Sequence, residues 1–194
     1  MVFKYSCIAT TDCLANLQSS EIISPAINAH FVQQRGWIGN RLVQLIVEAS
    51  DPPTSSYQKC CCQAAFLYYY LHLRPDSFIS AVQRTVLAQL KECLLRTDLD
   101  AYWDDDIELL LWVLVTAASV EDVTKGWYIR LFKRVRNAFH PKPDLNRMRY
   151  FLRRFLWNER LSNPDCERVY KEIMNLDLEE QEQSRQIKLG LRPK

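Results

Sequence analysis

Two stretches of the 194-residue chain pair residue type with a spacing that could support chemistry: the adjacent cysteines Cys60, Cys61 and Cys62, and the acidic run Asp104-Asp105-Asp106-Ile107-Glu108. Thiolates are zinc ligands, but a structural zinc needs four ligands converging on one point, in pairs set a few residues apart. Consecutive residues on a helix point about 100° from one another, so three adjacent cysteines fan outward. No C-x-x-C spacing occurs, and His30, His72 and His140 are far apart in the chain. The pattern predicts small thiols filling a helix interface, with no metal and no cofactor. The acidic run contains D-D-x-x-E. Paired carboxylates on a helical scaffold hold magnesium and diphosphate in terpene cyclases. A second magnesium motif is missing, however, and carboxylates just ahead of an apolar helix suit its N-terminus without any chemistry. The expectation is a protein without catalytic residues. The alternative is a small helical enzyme, or an accessory protein of a biosynthetic pathway, that uses Asp104–Glu108 with magnesium.

Nucleophilic and nucleotide chemistry fare no better. There is no G-x-S-x-G elbow, phosphate loop or dinucleotide fingerprint, and four isolated glycines give little means of cradling a phosphate. Charge is more informative. The net charge of +2 does not itself call for nucleic acid or a membrane surface, but its distribution is uneven. Between Trp127 and Arg160 ten basic residues face only Asp144 and Glu159, whereas every charged residue from Asp98 to Glu108 is acidic. Arg130, Lys133, Arg134, Arg147, Arg149, Arg153 and Arg154 form the candidate partner-binding face. One reading is a surface for nucleic acid or an acidic partner. The favoured one is a set of solvated helix faces answered across a loop by the acidic linker, because the charges lie opposite an apolar stripe. No aromatic residues interleave them as single-strand binding would require.

The elements that must position these residues read as helices almost throughout. Apolar residues recur at helical spacing, hairpin dipeptides are absent, and a 48% apolar content is enough to build a core without disulfides. The fold class expected is all-α, an irregular multi-helix bundle. Its two central, buried helices fall at about 57–73 and 107–118, where the sequence is apolar on nearly every side. Around them, Trp37, Ile38, Leu42, Leu45, Ile46 and Ala49 mark one stripe. Phe78, Val82, Val86, Leu90, Cys93 and Leu94 mark a second. Trp127, Leu131, Val135 and Phe139 mark a third, and Leu145, Met148, Phe151, Leu152 and Phe155 a fourth. A last helix is expected to start near Pro164, a favoured first-turn residue. The first 25 residues are ambiguous, with at most one short helix before Pro25. Residues 1–178 are expected to make a single domain, and 179–194 a polar tail, frayed or disordered.

Seven cysteines, an odd number with three adjacent, make a poor disulfide framework and point to reduced thiols in the nucleus or cytoplasm. No signal peptide is expected, since Thr10, Thr11 and Asp12 interrupt the N-terminal apolar residues. No apolar stretch approaches the ~20 residues of a spanning helix, so no membrane partner is expected.

Three segments taken together carry a resemblance: YQKCCCQAAFLYYYLHL at Tyr57–Leu73, IELLLWVLVTAASVEDVTKGWYIRLFKRV at Ile107–Val135, and MRYFLRRFLWNERLSNPDCERVYKEI at Met148–Ile173. Their order resembles the C-terminal regulatory region of fungal transcription factors of the binuclear zinc cluster (Zn2Cys6) class. In that region a Tyr- and Cys-rich apolar helix precedes an "LLWVL" helix, a Trp-led helix and an "FLW" segment. The likeness covers roughly residues 30 to 175. The family's DNA reader, C-x2-C-x6-C repeated across a loop, does not occur in these residues. The resemblance implies a helical regulatory domain linked to transcription, in fungi often to secondary metabolism. It would act through a protein partner, such as a zinc-cluster transcription factor, or through a small effector, with no specific DNA binding by this chain alone. It carries over no catalytic or base-contacting residue.

Overall fold

A computed structural model of the chain describes residues 25–48, 55–72, 80–99, 103, 105–120, 126–139 and 141–188. Among these residues there are seven helices and no strand: α1 Pro25–Glu48, α2 Ser55–His72, α3 Ser80–Arg96, α4 Ile107–Val120, α5 Trp127–Ala138, α6 Leu145–Leu152 and α7 Glu159–Lys188. The all-α reading stands, and α2 and α4 occupy the centre. Every residue from Gln63 to Tyr69 and from Leu110 to Ala118 is buried, as helices without a polar face must be. The two pack on each other. α1 and α3 lie against α2, while α5, α6 and α7 gather around α4.

Two glycines serve this packing. At Gly39, on α1, a Cβ would stand 3.0 Å from the Tyr69 hydroxyl oxygen, so the missing side chain is what lets α1 approach α2. Gly126 adopts φ 46°, a left-handed conformation that other residues enter with strain, and it turns the chain into α5. α6 begins at Asp144, whose carboxylate accepts from the Arg147 N–H at 2.8 Å, a side-chain N-cap.

Several sequence expectations need correction. Trp37 and Val82, both assigned to inner stripes, are 52% and 44% exposed; Ile38, Leu42, Val86 and Leu90 do the packing on those helices. On α5 the buried face is Tyr128, Ile129, Phe132 and Val135, with Trp127 and Leu131 only half-buried. That face lies about a residue round from the predicted one, which brings Lys133 and Arg136 inside. The last helix starts at Glu159 rather than at Pro164, which lies in its interior. Asn158 opens it, its side chain accepting from the Leu161 N–H at 3.2 Å. That helix also runs to Lys188, so residues 179–188 of the polar segment continue it. The readings for residues 1–24 and for Phe78 lie outside the described residues.

Candidate interaction site

The basic residues do not form one face. Lys133 and Arg136 are buried on α5 because they share its inner side with Ile129 and Phe132. Two cations there require counter-charge, and α7 supplies it. Lys133 Nζ lies 3.0 Å from Asp177 and 2.8 Å from Glu180, and Arg136 pairs with Asp177 at 2.9 Å. Arg136 also lies over the Tyr170 ring. Burial opposes the charge on Lys133, but the Glu180 and Asp177 carboxylates outweigh it and hold its pKa above the ordinary value. Burial likewise works against the Asp177 carboxylate, yet Lys133 and Arg136 pull its pKa below the usual range. The matched i, i+3 spacings, 133/136 against 177/180, are visible in the sequence and could have signalled this pairing.

Further along, Arg149 pairs with Glu167, Arg153 with Glu159 at 3.0 Å, and Arg154 with Glu108. The expectation that the acidic linker answers the basic helices therefore holds at Arg154, whereas α7 answers Lys133, Arg136, Arg149 and Arg153. Arg147 is exposed, stacked beside Phe151. Glu108 is thus committed to an ion pair, and Asp106 accepts a 2.7 Å hydrogen bond from the Tyr57 hydroxyl. Two carboxylates of the acidic run are held by protein partners. Asp104 lies outside the described residues.

Arg130 and Arg134 remain as exposed residues on the outer side of α5. They rim a cleft of about 390 Å³ between the end of α3 and the first turns of α5. Its walls are apolar: Leu94, Leu95 and Leu99 on one side, Trp127 and Leu131 on the other. Leu95 is 66% exposed. The Trp127 ring is held from outside by the Lys91 ammonium, 5.0 Å from its centroid. Beneath the cleft, the Tyr128 hydroxyl donates to the Leu87 carbonyl at 2.5 Å and ties α5 to α3. An apolar floor between two helices with cations at its lip suits an amphipathic guest carrying negative charge.

The cysteine triplet fans apart as expected. Cys60 is fully buried, and Cys61 and Cys62 are half-buried. Burial pushes the Cys61 thiol up to about 12. Cys60 lies in the core, with Cys93 of α3 packed against the same cluster. Among the described residues no three His, Cys, Asp or Glu side chains are grouped to hold a metal, and no helix is long and apolar enough to cross a membrane. His30 and His140 side chains lie outside the described residues. His72 sits edge-on to the Tyr68 ring, with its Nε2 3.4 Å from the Ser162 Oγ. Burial lowers its pKa to about 4, so the ring is neutral at pH 7. Ser162 and the Tyr68 hydroxyl meet at 3.0 Å, and the Asn158 N–H donates to the same hydroxyl. Serine, histidine and tyrosine are thus in contact, but Ser162 and Tyr68 are buried, so the cluster fastens α2 to the start of α7. Comparison of the chain with protein-family models, with curated proteins and with solved structures found no match.

Proposed function

We propose that this chain is a helical regulatory module of the type found beyond the zinc cluster in fungal Zn2Cys6 transcription factors. It acts in the nucleus or cytoplasm by holding a protein partner, and does not read DNA sequence on its own. The single observation that carries the interaction reading is the cleft between α3 and α5, with Leu95 and Trp127 on its walls and Arg134 at its rim. An acidic amphipathic segment, for instance from a zinc-cluster protein, would lay its apolar side chains on those walls and its carboxylates against the arginines. A tryptophan already fixed in place costs little entropy to use, which is why such side chains dominate binding energies. Family resemblance supplies the transcriptional setting. A small carboxylate-bearing effector is the second reading, favoured by the cleft volume, about 390 Å³, within the range of ligand sites.

Affinity purification from the native cell tests the proposal, with wild type, Leu95→Asp and Arg134→Glu compared side by side. The expected result is a partner captured by wild type and lost from both variants, each still folded by circular dichroism. A partner retained equally by all three would remove the cleft from the interaction. Capture of nothing but metabolite-bound protein would favour the effector.

A further inference from the structure

We infer that the gap between the second half of α7 and the α5–α6 connection binds a phosphorylated sugar or polyol. This site is separate from the cleft between α3 and α5 and does not depend on what that cleft holds. Its origin lies in the sequence of α7. The side of α7 that buries Cys166, Val169 and Ile173 continues, at helical spacing, as Asp177, Glu180, Ser184 and Lys188. The stripe that faces the bundle thus turns polar toward the C-terminal end of the helix. What it leaves there is a cavity of about 460 Å³, within the size range of small-molecule sites. Asn137 in the last turn of α5 and Lys142 in the connection line its other side.

Charge decides what fits. Both carboxylates of the cavity are committed to buried cations: Asp177 to Lys133 and Arg136, and Glu180, through one oxygen, to Lys133. Lys142, Arg185 and Lys188 remain. Lys142 and Lys188 are exposed and have no ion pair among the described residues. Arg185 reaches Glu182 only at 4.0 Å on the exposed surface, a contact of little strength. Three cations lining one cavity favour an anion. Phosphate, with several acceptor oxygens, can engage ammonium and guanidinium groups together.

The rest of the lining selects what carries the phosphate. The Asn137 carboxamide oxygen is shielded from solvent and has no hydrogen-bond partner among the described residues. Leaving a buried acceptor in that condition is unfavourable, and a ligand hydroxyl would satisfy it. The second Glu180 oxygen accepts from hydroxyls, and the Gln181 and Ser184 side chains both accept and donate. None of the described residues that line the cavity is aromatic or aliphatic. A nucleobase or an acyl chain would therefore find no surface to stack on, whereas a ligand made of hydroxyls and phosphate would find a partner for each group.

Isothermal titration of the full-length protein at ~0.15 M salt tests the assignment, with glucose 6-phosphate, fructose 1,6-bisphosphate, inorganic phosphate and AMP as probes. Glucose 6-phosphate, inorganic phosphate and AMP carry similar charge, so differences among them report the hydroxyl and base contacts. The expected result is a sugar phosphate bound once per chain, about tenfold or more tightly than inorganic phosphate or AMP. Lys142→Glu and Lys188→Glu should each weaken it by about tenfold or more, the loss of one charge-assisted contact. Lys171→Glu, an exposed change elsewhere on α7, should leave it as in wild type, with all three variants folded by circular dichroism. Absence of saturable binding by both sugar phosphates would overturn the site. So would binding that Lys142→Glu and Lys188→Glu leave untouched, or that all three variants weaken alike, since general surface charge would then account for it. Inorganic phosphate or AMP binding as tightly as the sugar phosphates would overturn the assignment of the ligand class.

Discussion

Arg136 and Asp177 are joined at 2.9 Å although 41 residues separate them. Asp177 also holds Lys133 at 3.0 Å, so one carboxylate neutralises two cations whose side chains are only 5–7% exposed. This relationship fastens α7 to α5 and explains why a helix face bearing Lys and Arg can turn inward. Asp177→Asn removes the charge and leaves Arg136 without a counter-ion, while Glu180 still serves Lys133. Stranding a buried charge costs ~3–5 kcal/mol, so a loss of about 3 kcal/mol is expected in urea denaturation. An unchanged midpoint would mean that α7 does not dock on α5 as described.

The same network sets two pH limits. Asp177 has a lowered pKa in the fold, so its contribution is present above the ordinary Asp value of ~3.9 and is lost as pH falls through the folded value. Lys133 has a raised pKa, so its contribution is present below the ordinary Lys value of ~10.4 and is lost as pH rises through the folded value. Between these limits Asp177→Asn should cost stability almost independently of pH. Melts of wild type and variant at several pH values should converge only at the acid end, since Arg136 keeps its charge in alkali.

His72 adds an earlier acid dependence. Burial lowers its pKa to about 4, while the unfolded chain takes up the proton near 6.5. The unfolded state therefore binds more protons between these values, and stability falls as pH drops from about 6.5 to 4. At ~1.4 kcal/mol per unit, the fall is roughly 3 kcal/mol. His72→Gln should flatten that part of the curve. A variant that keeps the full acid dependence would assign it elsewhere.

Trp112 should be the most costly single aromatic to remove. It is 2% exposed on the central helix, and its indole N–H donates to the Leu156 carbonyl at 2.8 Å. Trp112→Ala combines a large core cavity, ~3–5 kcal/mol, with an orphaned buried carbonyl. Trp112→Phe keeps most of the packing and loses the hydrogen bond, for about 1–3 kcal/mol. Chemical denaturation of both variants separates the two terms, and a tolerant Trp112→Ala would show that α4 is not central.

The central helices were legible because Leu110–Ala118 is apolar on every side, which leaves only burial as an outcome. The orientation of α5 was not. Its charges and apolar residues are interleaved tightly enough that two faces fit the pattern, and the choice is made by Asp177 and Glu180, far away in the chain. Trp37 was misplaced for a related reason: its size argues for burial, but the neighbours that α1 meets are fixed by the close approach at Gly39. The cysteines were read as filler from their spacing. Cys60 is fully buried in the core, as that reading expects.

The ion pairing of the basic helices also bounds what the chain can do with DNA. Lys133 is buried, and Arg149, Arg153 and Arg154 carry carboxylate partners. Arg130, Arg134, Arg147, Arg153 and Arg154 are the exposed members of the face predicted from sequence, the last two within ion pairs. Two or three phosphate contacts then suffice to describe any duplex binding. Each contributes ~0.9 to the logarithmic salt slope, so affinity should fall only roughly 10–40-fold between 50 and 200 mM salt. Phosphate contacts carry no base information, so unrelated duplexes should compete equally. An anisotropy titration at both salt concentrations, with several duplexes, measures slope and preference together. A preference of about a thousandfold for one duplex at physiological salt is the range of true sequence readers. It would require arginines now paired with Glu108, Glu159 and Glu167 to release those partners and enter a groove, and the regulatory reading would then give way to that of a DNA-binding module.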